Sequence, residues 1–538
     1  MKTKQGGRHR RPRGRARSDA AIRKAVLDLD ATNSGDLRQV VHRLARLGHQ
    51  SARDRELVLA KLSRFIEEKE RILYDPTPDG LKRGQKRKYT AMIQGATKIQ
   101  ASIQTVLRIL GPAALLDDPH WLNQVDRSGM LGRLGKWQDH VLTMWAEAAK
   151  RARHFTEVHR RRKLNAVKIY GLGGSAAPHD IAREVIDNFR KSSTPIEVVR
   201  ADAPNPDHVT RNTLAILASF SGNTEETLNC LRVVKKRTSL LAGISRGGKL
   251  RTSARRLGMP FIQLPDKPAH PAYVLQPRES VCLQMTASLV FLGKIGLQPG
   301  SRGRFTPASL RRDRLLQLLD RWRKRFGPSV PFGRNPAKQL AFFSLYGAQW
   351  VDPGPRKAPH LPARALPYLL GDRNLSAVIH EAATQFRERS KMNVIEGSAP
   401  EDLHNSVESI RANVEARRAN LECPRLACIF YDSVDSEPRI DVRLQVTRDL
   451  VIAKTATYAV VQAQGDTPFE RSLFLTYFNA HASTYAAILN GHDPLPVPTM
   501  SWLKEVMGAI PRNANTKTPG ARQRRSVLRF SRRRTVRP

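Results

Sequence analysis

Only four cysteines, Cys230, Cys282, Cys423 and Cys428, are scattered through 538 residues, with no CxxC pair and no histidine pair at zinc-ligand spacing beside them. That scarcity argues against a disulfide framework and a zinc finger, and the thiols read as small apolar fillers in a reducing compartment. Aromatics are sparse at 6% within a hydrophobic content of 40%, so an aliphatic core is expected. Long apolar runs are missing as well: the best stretch, VCLQMTASLVFLGKIGL, is broken by Gln284 and Lys294 before it could span a bilayer. The N-terminal MKTKQGGRHRRPRGRAR has no apolar segment behind its basic residues, as a secretory signal would. A soluble, cytoplasmic protein with no membrane partner is expected.

Acids are scarce too: 48 Asp and Glu face 92 Lys and Arg, for a net charge of +44. Residues 1–17 hold eight basic and no acidic side chains and residues 512–538 hold ten and none, so the two ends supply 18 of those charges. Such blocks stay solvated and attract polyanions such as nucleic acid, nonspecifically, or merely aid solubility; either way they concern association rather than fold. No zinc finger, RNP-type aromatic motif or basic zipper is present to make the chain a dedicated nucleic-acid reader.

The length suggests three or so structural units. Residues 1–17 read as a basic disordered tail and 18–115 as a helical accessory region, with apolar spacing at Ile22, Val26 and Leu27 and again at Leu57, Leu59, Leu62 and Ile66. From 116 to 300, after leading helices, strands at AVKIYGLG, IEVVRA, TLAILASFS, SLLAGIS and PFIQLP alternate with amphipathic helices, the pattern of βαβ units and a parallel sheet. Residues 301–336 form a linker plus the helix SLRRDRLLQLLDRWRKRF, and 337–510 return to α/β alternation. There, strands are expected at SLYGAQWV, LACIFYDS and TYAVVQAQ, and helices at LSAVIHEAATQFRERSK and FERSLFLTYFNAHASTYAAILNG. Residues 511–538 form a second basic disordered tail.

Two loops follow strands directly and run into helices: GLGGSAAPHD, and SFSGNTEET with its hydroxyls Ser219, Ser221 and Thr224. In an open parallel sheet this is where anions sit, facing free N–H groups at helix N-termini. Either loop alone is weak as a signal, and neither has the spacing of a dinucleotide fingerprint or of GxxxxGK[ST]. Both, with ISRGGKL after the next strand, are hard to explain as turn chemistry. Glu225 and Glu226 fall in the first helical turn, where the dipole favours acids, and read as helix starters.

The segments GLGGSAAPHD, SFSGNTEETL, ISRGGKL and LQPRES, in this order and spacing, resemble the sugar isomerase (SIS) domain of the bifunctional phosphoglucose/phosphomannose isomerase family. The likeness extends upstream to DRSGMLGRLGKWQDHVLTMWAEA and downstream through NPAKQLA, RERSK, PEDLHN and PTMSWLKEVM, covering about residues 120 to 510. It implies an α/β fold of two SIS-type, doubly wound, flavodoxin-like parallel-sheet subdomains (116–300 and 337–510), and aldose–ketose isomerisation of hexose 6-phosphates through a cis-enediolate without metal or other cofactor. By the same resemblance Gly173, Gly174, Ser175, Ser219, Ser221 and Thr224 hold the sugar phosphate. Glu388 is then the proton-transfer base, Arg278 faces the enediolate, and His404 and Lys504 assist ring opening. A homodimer is implied, because the family's site is completed by a neighbouring subunit's histidine.

The sequence also departs from the family's pattern. Pro178 and His179 stand where a GG pair is common, which is expected to stiffen the first loop and add bulk beside the phosphate. ENAK becomes Glu388, Arg389, Ser390 and Lys391, preceded by Arg387, and an arginine within about 4–6 Å would favour ionised glutamate and weaken it as a base. Val497 stands seven residues before Lys504, where the family links a threonine to mannose phosphate use. These changes leave a second reading open, a catalytically weak sugar-phosphate-binding protein whose basic tails contact nucleic acid.

Overall fold

The computed structural model describes residues 111–159, 163–189, 194–202, 204–265, 277–296, 310–349, 364–419, 423–452, 458–497, 499 and 500. The basic tails at 1–17 and 511–538, nearly all of the helical region at 18–115, residues 301–309 of the linker segment 301–336, and Lys504 lie outside the described residues. Contacts divide the chain into a large unit, Met1–Leu495, and a second, Pro496–Pro538. Both sheets belong to the first.

Four helices lead in: α1 (Ala113–Leu116), α2 (Pro119–Val125), α3 (Met130–Leu134) and α4 (Trp137–Val158). Then β1 (Ala166–Tyr170), α5 (Ala177–Phe189), β2 (Ile196–Val199), β3 (Thr213–Ala218), α6 (Glu225–Val234), β4 (Leu241–Ser245), α7 (Gly248–Leu257) and β5 (Phe261–Gln263) build a five-stranded sheet, followed by α8 (Val281–Ile295). All its strands are parallel, in the order β2-β1-β3-β4-β5. β3 and β4 are wholly buried because helices cover both faces. Val167, Ile169, Leu214 and Ile216 face α4, α5 and α8, while Ala215, Leu217 and Leu241 face α6 and α7.

The chain continues through α9 (Arg312–Phe326), α10 (Pro336–Tyr346), β6 (Ala365–Asp372), α11 (Ser376–Arg389), β7 (Ile395–Ala399), α12 (Glu401–Arg418), β8 (Arg425–Asp432), α13 (Pro438–Val446), β9 (Tyr458–Gln462) and α14 (Pro468–Leu489). The second sheet is also parallel, ordered β7-β6-β8-β9. The expected strand SLYGAQWV is not one: Ser344–Tyr346 end α10, and Gly347, at φ 57°, caps it in the left-handed conformation. Two strands the pattern did not suggest, β6 and β7, complete the sheet.

One helix ties the two sheets together. α14 opens on a capping box between Thr467 and Glu470 and is buried along its whole length. Its Phe474, Tyr477 and Phe478 meet Trp137, Trp322 and Phe326 edge-on or tilted at ring separations of 5.2–6.5 Å. A single hydrophobic cluster therefore includes Ile169 and Ile216 of the first sheet and Leu369 and Ile429 of the second. Cys230, Cys282 and Cys428 are buried thiols. Among the described residues no helix is long and apolar enough to cross a membrane.

Buried Glu184 on α5 joins the two halves, accepting from Ser376 Oγ at 3.0 Å and from the Ala377 N–H at 2.9 Å. Its Oε1 is buried without a hydrogen-bond partner among the described residues, and burial pushes the carboxyl from the ordinary 4.5 up to about 8. The folded protein thus holds this proton more tightly than the unfolded chain, so Glu184's stabilising contribution is complete below pH 4.5 and is lost as the pH rises through about 8. Glu184→Gln is expected to shrink the fall in melting temperature between pH 5 and pH 8.5 relative to the parent. An identical fall in both proteins would show that this carboxyl does not titrate there.

Candidate active site

At the carboxyl end of β1 the chain makes a 3-10 turn, Gly173–Ser175, and enters α5. At the end of β3, residues 219–224 lead into α6. The two loops are bonded to each other, the Phe220 N–H donating to Ser175 Oγ at 2.9 Å. Within the second loop, Ser219 Oγ and Thr224 Oγ1 lie 2.7 Å apart, and the Gly222 N–H donates to Ser219 Oγ at 3.0 Å. The third loop closes against them: the Arg246 N–H donates to Phe220 O at 3.0 Å, Leu250 N–H to Gly222 O at 2.9 Å, and Lys249 N–H to Asn223 Oδ1 at 3.0 Å.

Among the six residues expected at the phosphate, Ser175 and Ser219 are buried and knit the loops, whereas Gly173 and Ser221 are exposed and Gly174 and Thr224 half-buried. Thr224 is the N-cap of α6 but makes no side-chain cap bond, its hydroxyl being spent on Ser219. The first-turn N–H groups of α6 are thereby left without a side-chain cap at the positive end of the helix. Glu225 and Glu226 occupy that turn.

Arg278 lies in a 3-10 turn, Pro277–Ser280, whose Pro277 Cβ would stand 3.9 Å from a Cβ placed on Gly174. Glu279 holds the turn in place. It is buried and pairs with Arg133 at 2.9 Å, while Ser280 Oγ accepts from Gln284 Nε2 at 2.7 Å. The Arg133–Glu279 pair was not read from the sequence, because nothing local connects residues so far apart.

Glu388 is the penultimate residue of α11 and half-buried. Asn188 Nδ2 donates to Asn374 O at 3.0 Å, and Glu184 accepts from Ser376 and Ala377, so α5 and α11 run antiparallel. At 1.5 Å per residue Glu388 lies about 16 Å beyond Ala377, and the start of α5 roughly 10 Å back from Glu184.

The arginines beside Glu388 have duties of their own. Arg387 pairs with Glu396 at 3.2 Å and donates to Val394 O at 2.9 Å; Arg389 is fully buried and donates to Ala480 O at 2.8 Å. Ser390 Oγ donates to Ser483 O at 2.7 Å, and the Asn490 amide to Ser390 O at 2.9 Å, fastening RERSK to α14 and the residue after it. One face of α11 also carries Glu381 and Gln385, at i−7 and i−3 from Glu388. Glu381 is buried, accepts from Gln385 Nε2 at 3.0 Å, and is pushed up to about 7 mainly by burial. The sequence reading had passed over it.

The expectation for Pro178 and His179 needs correcting. Both lie inside the first turn of α5 rather than in a loop. His179 is fully buried with Nδ1 2.7 Å from Ser288 Oγ of α8, and burial pushes it down to about 4. It packs in the core and adds no bulk at the anion loops. His404 stands exposed in the first turn of α12, and its side chain has no hydrogen bond or ion pair among the described residues. Lys504 lies outside them.

One parallel sheet ordered 2-1-3-4-5, with hydroxyl-bearing loops at the carboxyl ends of β1 and β3, and a second parallel sheet ordered 7-6-8-9 give the α/β fold of two SIS-type subdomains. Residues 355–507 match the family described as bacterial phospho-glucose isomerase C-terminal SIS domain. The chain is 26% identical over 352 residues to the bifunctional phosphoglucose/phosphomannose isomerase of Caldicellulosiruptor bescii, covering 64% of this chain and 91% of that one. It is 24% identical over 340 residues to the enzyme of the same name from Thermoplasma acidophilum, covering 63% and 88%. The fold alone is shared with a hypothetical protein of Thermus thermophilus, at TM-score 0.51 and 14% identity over 74% of this chain and 96% of that one. The chain is thus similar, over about two thirds of its length, to several enzymes named bifunctional phosphoglucose/phosphomannose isomerase, and its residues 355–507 match the C-terminal SIS domain described above.

Proposed function

We propose that the protein interconverts hexose 6-phosphates, glucose 6-phosphate with fructose 6-phosphate and also mannose 6-phosphate, through a cis-enediolate and without a metal. The observation that carries this reading is the bonded pair of loops, Ser175 Oγ to the Phe220 N–H, beside the turn that holds Arg278. Gly173, Gly174, Ser221 and Thr224, with the first-turn amides of α6, receive the phosphate monoester, while Ser175 and Ser219 fix their positions. A cradle of hydroxyls and amides holds a phosphate that must also leave.

In this reading His404 and Lys504 open the ring, one removing the anomeric hydroxyl proton and the other delivering a proton to the ring oxygen. The Glu388 carboxylate then takes the C2 proton and returns it to C1, and the Arg278 guanidinium stabilises the negative oxygen that develops between these steps. His404 acts as His404 of the partner subunit in a homodimer, which accords with its exposed place on α12. The first SIS subdomain corresponds to residues 116–300 and the second to 337–510, in a protein that works in the cytoplasm. Incubation with glucose 6-phosphate or mannose 6-phosphate in EDTA should yield fructose 6-phosphate. No product from either sugar, with the protein folded and dimeric, would sink the proposal.

A further inference from the structure

β5 is the outer strand of the five-stranded sheet, with α4 on one face and α7 on the other. Along that edge, which pairs with no further strand among the described residues, lie two adjoining concavities of about 290 and 530 Å³ that share Arg151 and Gln263 and together run from Pro260 to Pro265. Their walls are basic. Lys150, Arg151 and His154 come from α4, and Arg251 and Arg255 lie one turn apart on α7. The carboxylate among the lining residues, Glu147, is paired with Arg151 at 2.8 Å. Among the described residues the side chains of Lys150, His154, Arg251 and Arg255 have no hydrogen bond or ion pair.

Stability does not account for this arrangement, since like charges one turn apart on a helix repel. Their spacing also matters. Along each helix the cations are strung about 6 Å apart in projection rather than gathered on one point. A small anion needs convergent donors, whereas a chain of phosphates needs a row of them. The concavities are too small for a duplex but open along their length to one extended strand.

We propose that this groove holds the sugar–phosphate backbone of a single-stranded nucleic acid, independently of the loops at β1 and β3. The test uses the full-length protein and a fluorescein-labelled 20-mer of uridine, read by anisotropy between 50 and 200 mM salt. Lys150→Glu, Arg251→Glu and Arg255→Glu are combined in one variant. Arg321→Glu, Arg439→Glu and Arg443→Glu, exposed helix positions elsewhere, make a control of equal charge. The groove variant is expected to bind at least tenfold more weakly at 50 mM salt. Its slope of log affinity against log salt should be shallower by about 2, three lost phosphate contacts at about 0.7 each. The control should lose less than threefold.

Equal losses in both variants would assign binding to diffuse charge or the tails and overturn the proposal. So would a groove-dependent loss confined to phosphatidylserine vesicles. Unchanged melting temperatures establish that the variants are folded; if the triple variant melts early, Arg255→Ala alone, at an exposed position, should still weaken binding more than Arg439→Ala.

Discussion

Glu388→Gln should lower kcat for glucose 6-phosphate by about 10²–10⁴-fold with little change in KM, the range general-base removal commonly costs. The carboxamide keeps the shape of the side chain and cannot take the C2 proton. This end of α11 is also fixed by Arg389 to Ala480, Ser390 to Ser483 and Asn490 to Ser390, bonds that the substitution leaves in place. The melting temperature should therefore stay within a degree or two. Solvent hydrogen exchange at C2 should fall together with turnover, because both need the same proton transfer. Turnover retained near the parent's value would remove Glu388 from the base role while leaving the phosphate cradle intact. A lost kcat with a collapsed melting temperature would instead call for Glu388→Asp, which keeps the acid but shortens its reach.

Gly222→Ala should raise KM at least tenfold and lower the melting temperature by several degrees. A Cβ at Gly222 would stand 1.9 Å from Gly247 O and 2.6 Å from Ser245 Oγ, and Gly222 sits at φ 71°, where a side chain is disfavoured. Gly247 O is main chain and already accepts from Ser245 Oγ at 2.8 Å, so relief requires the second and third loops to part, breaking the Leu250 N–H bond to Gly222 O. Gly129→Ala is the informative contrast. Gly129 also has positive φ, 65°, but a Cβ there meets nothing within 4 Å. It should cost about 1 kcal/mol of conformational strain and leave KM unchanged. Similar KM values for the two variants, measured alongside thermal melts, would contradict a cradle built by contact between loops.

The first sheet was legible because β3 and β4 are apolar runs of strand length flanked by glycine, serine and asparagine loops, and burial on both faces is what such runs signal. The second was less so. β6 carries Pro367 in a strand paired on both sides, and β7, IEGSA, has no apolar run at all; both are held by neighbours distant in sequence. SLYGAQWV misled because an apolar stretch at a helix end has the composition of a strand. At the candidate site, loop chemistry marked Ser219, Ser221 and Thr224, whereas Glu388 and His404 stood out only through the order and spacing shared with a family. Arg133, Glu279 and Glu184 could not have been found locally, since their importance comes from burial and from partners across the fold, and Glu381 stands out only through its burial. His179 shows the reverse error, a residue placed at the loop by its neighbours in sequence and turned into the core by helix geometry.

α14 gives the two sheets a common fate. A chain severed between α8 and α9 would leave the first half with an uncovered apolar flank and the second with a helix that is buried on every side in the intact protein and would there be bared to water. Neither half would keep its apolar surface covered if cut from the other in this chain. The repeated α/β plan is thus a record of shared architecture rather than of independence, and a mutation in the wall helix is felt by both sheets at once.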